Sequence, residues 1–218
     1  MKVIQNLVPT SKYNIKCPYP MTPEFIVVHN TANDASARNE VAYMIRNDNK
    51  VSFHYAVDDK EIVQGIPENR NAWHAGDGNN GPGNRKGIGI EICYSKSGGQ
   101  RFIEAEKLAA KFIAFKLKEK GWGINRVKKH QDFSGKYCPH RTLDMGWQRF
   151  LDMAQAELNA VKGADKVEDK NTLSSWAKEA WEWAKKEGIT DGTRPKDTMT
   201  REEMVTMLHR YHKKVFPK

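Results

Sequence analysis

Phe25-Ile26-Val27-Val28-His29-Asn30-Thr31-Ala32 is the stretch on which the reading of the chain turns. Its first four residues are apolar without alternation and three are β-branched, the pattern of a strand covered on both faces in the middle of a sheet. The run stops at an imidazole and an amide. A strand end is a rigid mount for a chemically active side chain, although a lone histidine there can equally be a polar terminator.

Further elements extend outward from that strand. Residues 1–24, with Pro9, Pro18, Pro20 and Pro23, read as an irregular arm. Ala37, Val41, Met44 and Ile45 recur at helical spacing behind capping residues 33–36. Ser52–Val57 alternates as a strand, Asp58-Asp59-Lys60 is a turn, and Glu61–Gly65 is the hairpin partner. Gly87-Ile88-Gly89-Ile90-Glu91-Ile92-Cys93 is another β run. A helix is expected from about Ile103 to Lys120, closed by Gly121, and another through Trp147, Phe150, Leu151, Ala154 and Leu158. Strands interspersed with helices predict an α/β or α+β layered domain over residues 1–160.

Residues 161–171 are charged and lack aromatics, as a linker does. Residues 172–218 predict a small α-helical hairpin, its second helix opened by a capping box at Thr200–Glu203. Fewer than fifty residues bury little surface, so this hairpin should dock on something or self-associate.

The 218 residues carry a net charge of +9, which calls for a polyanionic partner. Nucleic acid and the teichoic acids of a Gram-positive wall both qualify. The absence of an arginine-rich run, zinc-finger spacing or an RRM signature argues against nucleic acid. No apolar run is long enough to span a bilayer, and the N-terminus lacks the apolar core of a signal peptide. The expectation is synthesis in the cytoplasm and action elsewhere after release. Three cysteines, an odd count, fit free or metal-bound thiols.

Three places hold candidate chemistry. Lys129-His130-Gln131-Asp132-Phe133-Ser134-Gly135-Lys136-Tyr137-Cys138-Pro139 sets an imidazole, an ammonium and a thiol in one loop. Such donors suit zinc, and equally a surface histidine and a structural thiol. If the loop is extended, Lys136 and Cys138 face the same side. Glu91 lies among apolar neighbours, where a carboxylate would be desolvated and become a proton-transfer group, unless its strand is an edge facing water. Trp73-His74 sits in a long loop, residues 68–86, where the indole either stacks on a ligand or pins the loop to the core.

Taken in order, Phe25–Ala32, Phe53-His54-Tyr55, Trp73-His74-Ala75-Gly76, Gly87–Glu91 and His130-Gln131-Asp132 through Lys136-Tyr137-Cys138-Pro139 resemble the type-2 zinc N-acetylmuramoyl-L-alanine amidases. These share a fold with peptidoglycan recognition proteins, and the nearest likeness is to endolysins of phages infecting Gram-positive spore formers. The resemblance implies a mixed central β-sheet flanked by helices and one Zn²⁺ held by His29, His130 and Cys138. It further implies Glu91 as general base, Lys136 at the developing oxyanion, and Trp73 and His74 on the substrate side. The bond cut would be the amide between the lactyl group of N-acetylmuramic acid and L-alanine in peptidoglycan. Phe53 departs from relatives that carry a tyrosine hydroxyl there, which leaves the proton work to Glu91.

Residues 172–218 resemble a single S-layer homology motif at Trp176-Ala177, Gly188–Gly192 and Thr200–Glu203, which implies binding to a secondary wall polysaccharide. Two rivals differ in testable ways. A non-catalytic peptidoglycan-binding protein of the same fold would lack the Cys138 ligand, and a Cys-His peptidase would not need metal. A zincin is disfavoured by the absence of HExxH.

Overall fold

The computed structural model describes residues 1–165, 173–193 and 195–216. It divides into two compact units, Met1–Lys162 and Gly163–Lys218.

In the first unit the chain runs β1 (Ile4–Gln5), α1 (Tyr13–Lys16), β2 (Phe25–Asn30), α2 (Ala37–Arg46), β3 (Tyr55–Val57) and β4 (Ile62–Gln64). It continues through α3 (Pro82–Lys86), β5 (Gly87–Ile92), α4 (Gly99–Lys120) and β6 (Val127–Lys129). The short helices α5 (Gln131–Ser134) and α6 (His140–Asp144) precede α7 (Trp147–Asp165). The six strands form one sheet in the order β1-β4-β3-β5-β2-β6. Only the β3–β4 hairpin is antiparallel, so the sheet is mixed. This is the α/β architecture expected, although the strand that carries the apolar run Phe25–Val28, read as central, is next to the edge of the sheet, between β5 and β6.

Alternation along β2 and β5 separates two faces. Ile26, Val28, Ile88, Ile90 and Ile92 join the hydrophobic core with Ala105, Ala109, Phe112 and Ile113 of α4. On the other face the register pairs Phe25 with Gly87, Val27 with Gly89 and His29 with Glu91. One face of the sheet is therefore core, and the other rises from glycine to two titratable side chains.

Several boundaries differ from the sequence reading for local reasons. β3 begins at Tyr55 rather than Ser52, because the His54 ring takes the Gly89 amide hydrogen at 2.9 Å in place of a ladder carbonyl. The arm contributes β1, which pairs with β4, and α1, whose Lys16 is fully buried. The loop 68–86 ends in α3, which starts with Pro82 in its first turn. α4 starts at Gly99, four residues before the expected Ile103, and ends on Gly121 in the left-handed region. α7 carries helix to Asp165, five residues into the expected linker, and residues 166–171 of that linker lie outside the described residues.

The second unit holds α8 (Lys178–Lys186) and α9 (Arg201–Val215). The capping box is formed: the Glu203 amide donates to Thr200 Oγ1 at 3.1 Å and the Thr200 amide to Glu203 Oε2 at 2.8 Å. α8 closes at Gly188, φ 69°, with the Ile189 amide returning to the Ala184 carbonyl. No helix among the described residues is long and apolar enough to cross a membrane.

Candidate metal centre and active site

His29 stands one residue from the end of β2, and β6 runs parallel beside it with Val28 opposite Lys129. The next residue, His130, donates its amide to the Val28 carbonyl, which seats its side chain next to His29. The chain then turns through α5 and returns, because the Gln131 amide donates to the Cys138 carbonyl at 3.0 Å. Asn30 anchors the far side of this return: its Oδ1 accepts the amides of Arg141 and Thr142 at the start of α6. Residues remote in sequence thus meet in one place.

His29 Nδ1 lies 3.0 Å from His130 Nδ1 and 3.9 Å from Cys138 Sγ, and all three side chains are buried. The three ligand atoms fall within 4.8 Å of one another. Tetrahedral zinc with N and S ligands separates them by roughly 3.3–3.6 Å, given its usual bond lengths. The observed separations bracket that range. Electrostatics agree with the geometry. Burial, then the neighbouring His74 and His130, hold the His29 pKa well below the ordinary 6.5. Burial and Lys136 lower that of His130. Both imidazoles are therefore neutral and ready as ligands. The thiol is the reverse case: burial, then Glu91, push Cys138 up to about 11, so it needs an adjacent cation to ionise. A donor set of two neutral imidazoles and one such thiol fits Zn²⁺.

His74 is not exposed. The Asn84 Oδ1 fixes its loop by accepting the amides of His74 and Ala75, each at 2.8 Å. Its Nδ1 is 2.9 Å from His29 Nε2, and its Nε2 is 3.2 Å from the Gly87 carbonyl. With His29 Nδ1 turned toward the cluster, its Nε2–H donates to His74, whose own Nε2–H donates to Gly87. This arrangement selects the tautomer that presents His29 Nδ1 to a metal. Trp73 is also buried. Its indole N–H donates to the Ile15 carbonyl at 3.0 Å, and Lys50 lies 4.8 Å over its ring, so it fastens the loop to the arm.

Glu91 is the register partner of His29, and its Oε2 is buried without a hydrogen-bond partner among the described residues. Burial, then the charge of Glu40, raise its pKa to about 8, against an opposing pull from Lys136. Glu40 projects from α2 with its Oε1 likewise buried and unpartnered. Lys136 is exposed, and it sits in a tight turn in which the Cys138 amide donates to the Lys136 carbonyl at 2.7 Å. Its ammonium nevertheless acts on Glu91, His29 and His130 together.

Sequence reasoning missed three supports: Asn30, Asn84 and Gly89. The alternation Gly87-x-Gly89-x-Glu91 was the one visible signal, since a strand with glycine at alternate positions leaves room for something on that face.

Residues 19–141 match the profile of the N-acetylmuramoyl-L-alanine amidase family. N-acetylmuramoyl-L-alanine amidase CwlA of Bacillus subtilis (strain 168) is 54% identical over 216 residues, 96% of this chain and 78% of that protein. N-acetylmuramoyl-L-alanine amidase XlyB of the same organism is 58% identical over 175 residues, 80% of this chain and 55% of that one. Among solved structures, PlyL is 54% identical with a TM-score of 0.69, covering 71% of this chain and 98% of PlyL. The catalytic domain of XlyA is 40% identical with a TM-score of 0.65, covering 71% of this chain and 99% of that domain. Every quoted motif of the first unit that bears a candidate ligand or base lies inside the matched span, and the chain belongs to the N-acetylmuramoyl-L-alanine amidase family.

Proposed function

We propose that the first unit hydrolyses the amide between the lactyl group of N-acetylmuramic acid and L-alanine in peptidoglycan, using one Zn²⁺ held by His29 Nδ1, His130 Nδ1 and Cys138 Sγ. The observation that carries this is the convergence of those three atoms beside Glu91. When bound there, zinc supplies Lewis acidity, which polarises a carbonyl and acidifies water.

The remaining work falls to the chain's own side chains. Glu91 in its carboxylate form takes the proton of the attacking water. A pKa raised by burial makes the resulting acid able to pass that proton to the departing L-alanine amine. Lys136, exposed at the mouth, sets its ammonium against the oxygen that gains charge at the scissile carbon. His74 keeps His29 in the ligand tautomer. Phe53 is buried and has no hydroxyl to share the proton transfer, so Glu91 has no substitute.

The reading of residues 172–218 as an attachment to wall polymer, either a secondary polysaccharide or teichoic acid, draws on the S-layer-homology likeness. A groove of about 800 Å³ within the second unit, lined by Trp181, Asp191, Thr198 and Arg210 among others, supports it. Its aromatic and hydroxyl groups suit a glycan, while the four carboxylates Asp191, Asp197, Glu202 and Glu203 against the one guanidinium of Arg210 weigh against a polyanionic one. The host would be a Gram-positive spore former.

Digesting purified wall and sequencing the products by mass spectrometry tests the central claim. Free N-terminal L-alanine on stem peptides is expected, with activity lost to a chelator and restored by Zn²⁺. A new reducing sugar end, or a cut inside the peptide, would overturn it.

A further inference from the structure

Three aromatic side chains stand in or just beyond the loop that carries His130 and Cys138, and two of them are packed. Phe133 stacks on Phe25 and Trp147 on Phe150, with ring centroids 5.4 and 5.6 Å apart. The third, Tyr137, is 55% exposed, and no ring or cation stands over it among the described residues. It is the one exposed large apolar residue of the first unit that adjoins a candidate ligand in the chain.

This exposure is not looseness. The bond from the Cys138 amide to the Lys136 carbonyl closes a three-residue turn with Tyr137 at its apex. The phenol donates to Asp144 Oδ1 at 2.7 Å, at the end of α6, and α6 is itself tied to β2 through Asn30. The side chain is therefore held at both ends. Its bond to Asp144, which also raises the phenol pKa, occupies the hydroxyl. Tyr137 is thus not free to supply the hydroxyl that Phe53 lacks. What it offers is a rigid, uncovered ring face, and a ring already fixed needs no ordering when a ligand arrives.

Position decides what that face could cover. Tyr137 lies between Lys136, whose ammonium acts on Glu91 and the two imidazoles, and Cys138, whose Sγ is a candidate ligand. With the lactyl carbonyl beside Cys138 and Glu91, only the lactyl ether separates the reacting carbon from the N-acetylmuramic acid ring. The sugar therefore stays within reach of the ligand loop, while the stem peptide leaves from the opposite side of the carbonyl. A pyranose is polar at its rim and apolar on its C–H faces, which matches an aromatic face bounded by a polar tip. The first peptide residue, L-alanine, offers no more than a methyl group.

We propose that Tyr137 determines specificity for the sugar: its exposed face stacks on the N-acetylmuramic acid ring while the lactyl amide is cut. The assignment rests on the amidase reading for the identity of that sugar.

Two synthetic substrates test it with the full chain loaded with Zn²⁺: a muramyl tripeptide, and the same peptide carrying a lactyl group without the sugar. The native chain should prefer the first. Tyr137→Ala should lower that preference, as a ratio of kcat/KM values, by about tenfold, through KM rather than kcat and with zinc content held. Tyr137→Phe, which restores the ring without the bond to Asp144, should bring the preference back. Saturation-transfer signals from the ring protons of N-acetylmuramic acid alone, present with the native chain and lost with Tyr137→Ala, read the contact without turnover. A native chain indifferent to the sugar, an equal loss on both substrates, a loss of zinc in Tyr137→Ala, or no rescue by phenylalanine would each overturn the proposal and leave Tyr137 a fastening of the loop. Failure of the native chain to cut either substrate at the lactyl–alanine bond would instead strike the amidase reading, and the sugar signals would still decide the contact.

Discussion

A Cβ built on Gly89 would lie 2.8 Å from two carbons of the His74 ring. The glycine is there for space: its missing side chain is where the imidazole that orients His29 sits. Gly89→Ala should displace that ring and cost about 1–3 kcal/mol of stability. Zinc affinity should fall about 10–100-fold, the usual consequence of disturbing a ligand's hydrogen-bond partner. Chelator competition and urea unfolding measure the two effects separately, and an alanine variant that binds zinc as tightly as the native chain would count against the role given to His74.

Glu91→Gln should keep zinc and lose about 10²–10⁴-fold in kcat, read by metal analysis and turnover on the same sample. The same variant carries a pH signature in the metal-free protein. The folded carboxyl, pushed up to about 8, holds its proton where the unfolded one, near 4.5, has lost it. The folded state then binds more protons between those values, so stability falls as pH rises from about 4.5 to 8. Urea midpoints of the glutamine variant should lose that part of the slope.

Lys136→Met should lower kcat by about 10²–10³-fold with KM and zinc content little changed, as expected of a charge felt in the transition state. Lys129→Met is the matched control, since that ammonium is paired with Asp132. Equal losses in the two variants would remove Lys136 from the chemistry.

His54 titrates in the opposite sense. Burial brings its pKa down to about 4, against a contrary pull from its hydrogen bond to the Arg70 carbonyl. Below about pH 6.5 the unfolded chain takes up a proton that the folded chain refuses, so stability is lost as pH falls from 6.5 toward 4. His54→Gln should flatten that acid limb, in urea titrations of the metal-free protein at pH 7, 6 and 5.

What could be read from the sequence was what regular pairing enforces. Phe25–Val28 and Gly87–Ile92 are strands whose period of two places His29 and Glu91 on one face once they pair in register. The return of Cys138 to His130 was not legible, because a backbone bond from Gln131 to the Cys138 carbonyl and a tight turn at Lys136 have no periodicity to announce them. β1 has two residues, too few for a pattern. Trp73 left two readings open, and its bond to Ile15 depends on an arm whose path no local signal predicts. His74 was visible as a polar residue beside an aromatic; its burial depends on a vacancy fifteen residues downstream, and a vacancy shows in a sequence only as a glycine.

The division of β5 into isoleucines on one side and Gly87, Gly89 and Glu91 on the other has a consequence for quality control. A slip of one residue in the pairing of β5 with β2 would turn Glu91 into the core and three isoleucines outward. Such a chain would lose the pairing of His29 with Glu91 and display a sticky surface in the same stroke. Errors of assembly in this enzyme are thus conspicuous ones, open to proteolysis before they can persist as inert look-alikes.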